Sequence, residues 1–176
     1  SGRSRRLWES TGFGQPILVP FCPESALSGV GYTDFIDMMW YHRSIAIPAD
    51  WTEDVLLHFG GVDYRCEVFV DGRLAGRNVG GQCGFTVDIT RFVEAGSAHD
   101  LVLCVRDDVR AYVQPAGKQS AAYHSHGCHY TRVTGIWQTV WLESVPTNGL
   151  ESVRIVPDPS RECFHIVPEF RGLGEG

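Results

Sequence analysis

Residues 124–129 read HSHGCH, which crowds His124, His126, Cys128 and His129 into six positions. Imidazole and thiolate together suit Zn²⁺. The spacing fits no structural zinc signature, however, and Gly127 marks a loop. We read chance clustering on a loop, with neither metal nor cofactor. Acidic residues supply the next candidates. Asp107-Asp108 closes an apolar run, and adjacent strand residues point to opposite faces. This pair cannot act together, and facing solvent or capping a loop is its expected role. QPAGKQ (114–119) has a stop-and-turn character, with Gln114 and Lys118 as candidate anchors for the loop that follows. NVGGQCGF (78–85) carries three glycines without the strand-loop-helix context of a phosphate cradle.

These side chains need strands to hold them. MMWYHRSIAIP (38–48), DVLLHFGGV (54–62), FTVDIT (85–90) and HDLVLCVRD (99–107) are rich in β-branched, aromatic and alternating apolar residues. YRCEVFVDGRLAGRNVGG (64–81) reads as a hairpin around Asp71-Gly72, because both residues of a type I′ turn need φ > 0. IWQTVWLESV (136–145) reads as one continuous strand. Period 2 puts Ile136, Gln138, Val140 and Leu142 on its core face and Trp137, Thr139, Trp141 and Glu143 on the other. Gly135 is assigned to a turn with positive φ. Residues 1–35 are loop-rich. Residues 109–135 form a connection of 27 residues with little strand character, a length that marks function or mobility in a compact domain. Many short strands and no helical period predict an all-β, antiparallel jelly-roll sandwich.

Composition narrows the functional classes. The chain has 176 residues, 43% hydrophobic and 20% charged, with a net charge of −6. That argues against nucleic acid as a partner, and no apolar run approaches the roughly 20 residues that span a bilayer. The basic N-terminus lacks the apolar core of a secretory signal. Cys22, Cys66, Cys83, Cys104, Cys128 and Cys163 show no CxxC and no framework spacing. Reduced thiols and a cytoplasmic location are the expectation.

GGVDYRCEVFVDGRLAGRNVGGQCGFTVDIT (60–90) resembles the N-terminal sugar-binding domain of family 2 glycoside hydrolases, the β-galactosidase and β-glucuronidase family. VPFCPESALSGVG (19–31) with WYHRSIAIP (40–48), QPAGKQ (114–119) and YTRVTGIWQTVWLE (130–143) resemble it too, in the same order. The resemblance implies a jelly-roll over residues 1–148 and the start of an immunoglobulin-like sandwich at 149–176. It also implies a parent, β-galactosidase-like glycosidase whose TIM barrel carries two catalytic glutamates outside this chain. Retaining hydrolysis needs two carboxyl groups about 5–5.5 Å apart, and no segment here resembles the family's catalytic blocks. Catalytic residues are therefore expected to be none.

The resemblance carries substrate contacts to two loops, 20–31 and 120–134. It implies Glu24 in the first and His129 in the second, where some relatives have aspartate. Tyr130, Arg132 and Trp137 complete the candidate substrate-binding set, Trp137 through stacking on the C–H face of a sugar. Expected partners are a carbohydrate, the barrel and immunoglobulin-like domain of the parent, and a second copy in a homo-oligomer. Two other classes stay open: a lectin-like module that binds sugar alone, and an interaction domain of a catalytically silent homologue.

Overall fold

The computed structural model describes residues 5–10, 12–111 and 113–172. Eleven strands follow one another: β1 (Met38–Ala46), β2 (Asp54–Phe59), β3 (Val62–Asp63), β4 (Arg65–Val70), β5 (Arg73–Val79), β6 (Phe85–Asp88), β7 (Ala98–Arg106), β8 (Gly135–Ile136), β9 (Val140–Val145), β10 (Leu150–Asp158) and β11 (Cys163–Phe170). A four-stranded sheet, β1-β7-β4-β5, faces a three-stranded sheet, β6-β2-β9, and β3 pairs with β8 at one end. Every pairing between these strands is antiparallel. The all-β jelly-roll expected from the sequence is the observed fold.

Alternation explains the core. Leu101, Leu103 and Val105 of β7 meet Leu57, Phe59, Val68, Val87 and Ile136 between the sheets. Each such apolar side chain stabilises the fold by about 1.5–3 kcal/mol. The other face of β7 is buried as well: Val102 and Cys104 pack with Phe69 beneath Trp8, Phe13 and Trp40. Trp8 stacks on Phe69 at 5.7 Å between ring centroids. The loop-rich N-terminal segment thus covers the outside of the four-stranded sheet, which is why β7 reads LVLCV with no polar interruption.

The Asp71-Gly72 turn forms as expected, with φ of 46° and 72°. Asp71 also closes the turn onto β7 by accepting the Asp100 N–H at 2.8 Å and pairing with His99 Nδ1 at 2.7 Å. All six cysteines are free thiols, with Cys66 and Cys104 buried.

IWQTVWLESV is not one strand. Ile136 pairs with Val62 and Val140 with Phe59, so three residues, 137–139, oppose the two glycines Gly60 and Gly61. This is a bulge of one extra residue. Gly60 and Gly61 make room for it: the Trp137 indole lies over Gly61, where a Cβ would come 2.8 Å from Nε1, and Nε1 donates to the Gly81 carbonyl at 2.8 Å. Ile136, Val140 and Leu142 keep their expected core face, and Trp141 and Glu143 face out, but Gln138 is exposed rather than internal. At the far end β10 and β11 form a second hairpin, joined to each other and to no other named strand.

Candidate functional site

The connection between β7 and β8 is irregular over nearly its whole length. A loop of that kind keeps one shape only if its backbone groups find partners. Gln119 supplies the main tie. Its side-chain amide donates to Asp63 Oδ2 at 2.7 Å, and its Oε1 accepts the Val133 N–H at 2.8 Å. Around it, Tyr130 N donates to the Lys118 carbonyl at 2.7 Å and Ser120 N to the Tyr130 carbonyl at 2.8 Å. Lys118 therefore anchors through its backbone, and Gln114 through its side chain, which donates to Asp107 Oδ1 at 2.5 Å.

Arg132 is the second tie. It is 2% exposed, and its guanidinium donates to the Ala122 carbonyl at 2.7 Å, the Ser120 carbonyl at 3.2 Å and the Thr33 carbonyl. The same group lies 4.0 Å from the centroid of Phe35, over which Arg110 also lies, at 3.9 Å. Phe35 in turn meets Tyr123 edge-on at 5.2 Å. The buried Arg132 contact is of the desolvated kind worth about 2 kcal/mol, and the exposed Arg110 contact of the kind worth about 0.5–1 kcal/mol.

Three carboxylates are buried under the loop: Glu24, Asp63 and Asp107. Glu24 Oε2 accepts the Thr134 N–H at 3.2 Å. Burial, reinforced by the charges of Asp63 and Glu24, pushes the Asp107 carboxyl up to about 7. Burial raises Asp63 as well, against the hydrogen bond from Gln119. Asp107 therefore does not face solvent as its strand-end position suggested; it is drawn inward because Gln114 and the Thr134 hydroxyl bond to it. Asp108 does cap the loop, accepting the Arg110 N–H at 3.1 Å. Gly135 has the expected positive φ, 74°, and lies so close to the Tyr41 hydroxyl that no Cβ fits. That hydroxyl accepts the Ile136 N–H at 3.1 Å.

The candidate substrate contacts fall into two groups. His129 and Tyr130 are exposed on the loop, Tyr130 by 64%, and Tyr123 of the same loop is 61% exposed. Glu24 and Arg132 lie beneath the loop and hold it, and Trp137 is half-buried against Gly61 and Gly81. His126 and His129 stack at 5.1 Å across a tight turn that contains Gly127 at φ 53°. No three donors among His124, His126, Cys128 and His129 come within 4.8 Å of one another. Asp63, Gln119 and Phe35 escaped the sequence reading. The GVDY and GKQ blocks contain the first two, but nothing in one sequence pairs residues 56 positions apart.

A two-layer antiparallel sandwich that presents one long, internally braced loop from its end has the build of a jelly-roll recognition domain. The family model for the sugar binding domain of glycosyl hydrolases family 2 matches residues 6–146, and the chain belongs to that family. A Formosa agariphila protein, provisionally named β-glucuronidase, is 34% identical over 117 residues, 66% of this chain and 13% of its own length. The rat β-glucuronidase is 24% identical over 73% of the chain and 22% of its own, and a Thermoanaerobacter pseudethanolicus β-galactosidase 27% identical over 71% and 16%. The chain thus spans less than a quarter of these relatives. Among solved structures, the Ruminococcus gnavus β-glucuronidase superposes with a TM-score of 0.71 at 17% identity, over 95% of this chain and 30% of that one. A β-glucuronidase of an uncultured Clostridium species gives 0.72 at 20%, over 97% and 30%.

Proposed function

We propose that this chain is the non-catalytic sugar-contacting domain of a larger retaining β-glycosidase. Its loop 120–134 forms one wall of the sugar pocket, and the catalytic carboxylates lie in another domain. The observation that carries this reading is the loop itself. Half-buried Gln119 and buried Arg132 fix its backbone while His129 and Tyr130 stay exposed at its surface. A rigid frame beneath free polar and aromatic side chains is what a recognition surface requires. Acid–base work by the buried carboxylates is disfavoured, because Asp63 and Asp107 are committed to Gln119 and Gln114 beneath the loop.

In this role His129 offers a ring nitrogen to a sugar hydroxyl or carboxylate, and Tyr130 an aromatic face. The exposed hairpin of β10 and β11 begins the immunoglobulin-like domain that joins this one to the barrel. The relatives bear the name β-glucuronidase more often than β-galactosidase, which weighs toward a uronic acid over the galactoside first expected. The test uses the intact parent polypeptide with aryl β-glucuronides and β-galactosides. His129→Ala is expected to raise KM about tenfold on the true substrate, with a smaller change in kcat. Unchanged kinetics on both substrates would remove His129 from the pocket, and hydrolysis by the 176-residue chain alone would overturn the non-catalytic assignment.

A further inference from the structure

The hairpin of β10 and β11 has two unlike faces. Cross-strand pairs Val153–Pro168, Ile155–Ile166 and Pro157–Phe164 share one face, which is wholly apolar. The pairs Ser152–Glu169, Arg154–Val167, Val156–His165 and Asp158–Cys163 share the other. On that second face Asp158 and Cys163 are directly opposite, and His165 stands two residues along from Cys163. In an antiparallel pair, direct and diagonal neighbours on one face are within reach of each other's side chains. Here the carboxylate, thiol and imidazole donor atoms all lie within 4.8 Å of one another, the one such group among the described residues.

We propose that Asp158, Cys163 and His165 form a surface site for a borderline transition-metal dication, Zn²⁺ or its congeners. The donor set is one oxygen, one sulfur and one nitrogen, a combination Zn²⁺ accepts and Ca²⁺ or Mg²⁺ do not. The turn prepares the carboxylate. Asp158 Oδ1 accepts the Ser160 N–H at 3.1 Å, the Ser160 hydroxyl at 2.6 Å and the Arg161 N–H at 3.2 Å. That leaves Oδ2 facing His165 Nε2 at 3.5 Å. Tetrahedral Zn²⁺ places its ligand atoms roughly 3.3–3.8 Å apart. Cys163 and His165 are exposed, so their side chains can close the remaining distance without moving the backbone. Arg161, 3.7 Å from Asp158 Oδ2 and mostly in solvent, is displaced by the dication. A metal bridging both strands beside the turn pins the hairpin's register and leaves a fourth coordination position to water.

The experiment titrates the chelator-treated 176-residue chain with Zn²⁺ by calorimetry and with Co²⁺ by absorption, reading the thiolate-to-cobalt charge-transfer band. One site with micromolar or tighter Kd is expected. Cys163→Ser should abolish the band, and His165→Ala and Asp158→Asn should each weaken Zn²⁺ at least tenfold. Cys128→Ser should leave the Zn²⁺ affinity and the cobalt band unchanged. Binding weaker than millimolar overturns the proposal, as does binding lost with Cys128→Ser but kept with Cys163→Ser.

Discussion

The Gln119 side chain donates to Asp63 Oδ2 at 2.7 Å across 56 residues of sequence, and its own oxygen holds the Val133 N–H at 2.8 Å. One amide therefore ties both ends of the loop 120–134 to the edge of the sandwich. Removing it leaves a buried carboxylate oxygen and a backbone N–H without partners, each costing about 1–3 kcal/mol. Gln119→Ala should destabilise the domain by about 2–4 kcal/mol in urea denaturation, with hydrogen exchange rising over 119–133. Gln119→Glu should be worse at neutral pH, because it replaces the amide that donates to Asp63 with a charged acceptor.

Arg132 makes a different kind of tie. Its planar fork reaches carbonyls of Thr33, Ser120 and Ala122 while its face covers Phe35. Arg132→Ala should cost about 2–4 kcal/mol, since it frees three carbonyls and the ring contact. Arg132→Lys should recover less than half of that loss, because an ammonium cannot serve three separate acceptors and stack. Thermal denaturation of both variants decides it.

Stability should fall as pH rises through the neutral range. Asp107 titrates near 3.9 in the unfolded chain but at about 7 in the fold, because burial and then Asp63 oppose its charge. Between those values the folded state holds the extra proton, so the stabilisation is complete below about pH 4 and lost as pH climbs through 7. Asp63, raised in the same direction, adds to the slope. Asp107→Asn keeps the acceptor for Gln114 and should flatten the decline of unfolding free energy between pH 4 and 8. An unchanged slope in that variant would assign the effect elsewhere.

Gly135 has no room for a side chain. Its φ of 74° is left-handed, and an added Cβ would meet the Tyr41 hydroxyl and Met39 sulfur. Gly135→Ala should cost at least ~2 kcal/mol, with Tyr41→Phe in the same background restoring part of it by removing the hydroxyl.

Much of the fold was legible locally. Alternating β-branched runs located β1, β2, β4 and β7, and the Asp-Gly dipeptide located the β4–β5 turn, because each signal lies within a few neighbouring residues. What escaped depends on partners distant in sequence. The bulge at 137–139 is set by Gly60-Gly61 on the facing strand, so period 2 alone carried Gln138 to the wrong face. Glu24 and Arg132 look like loop residues free to meet a ligand; only the packing of residues 107–134 over them shows which side of the loop they occupy. Asp107 looked like a solvent-facing strand end for the same reason.

The most direct test is a titration of the 176-residue chain with glucuronate, galactose and lactose, followed by heteronuclear NMR. Millimolar binding of at least one sugar is predicted, with shift changes clustered on residues 123–130, His129 and Tyr130 foremost, and weakened about tenfold by His129→Ala. Shift changes centred elsewhere on the sandwich, or none at saturating sugar, would contradict the claim that this loop is the recognition surface.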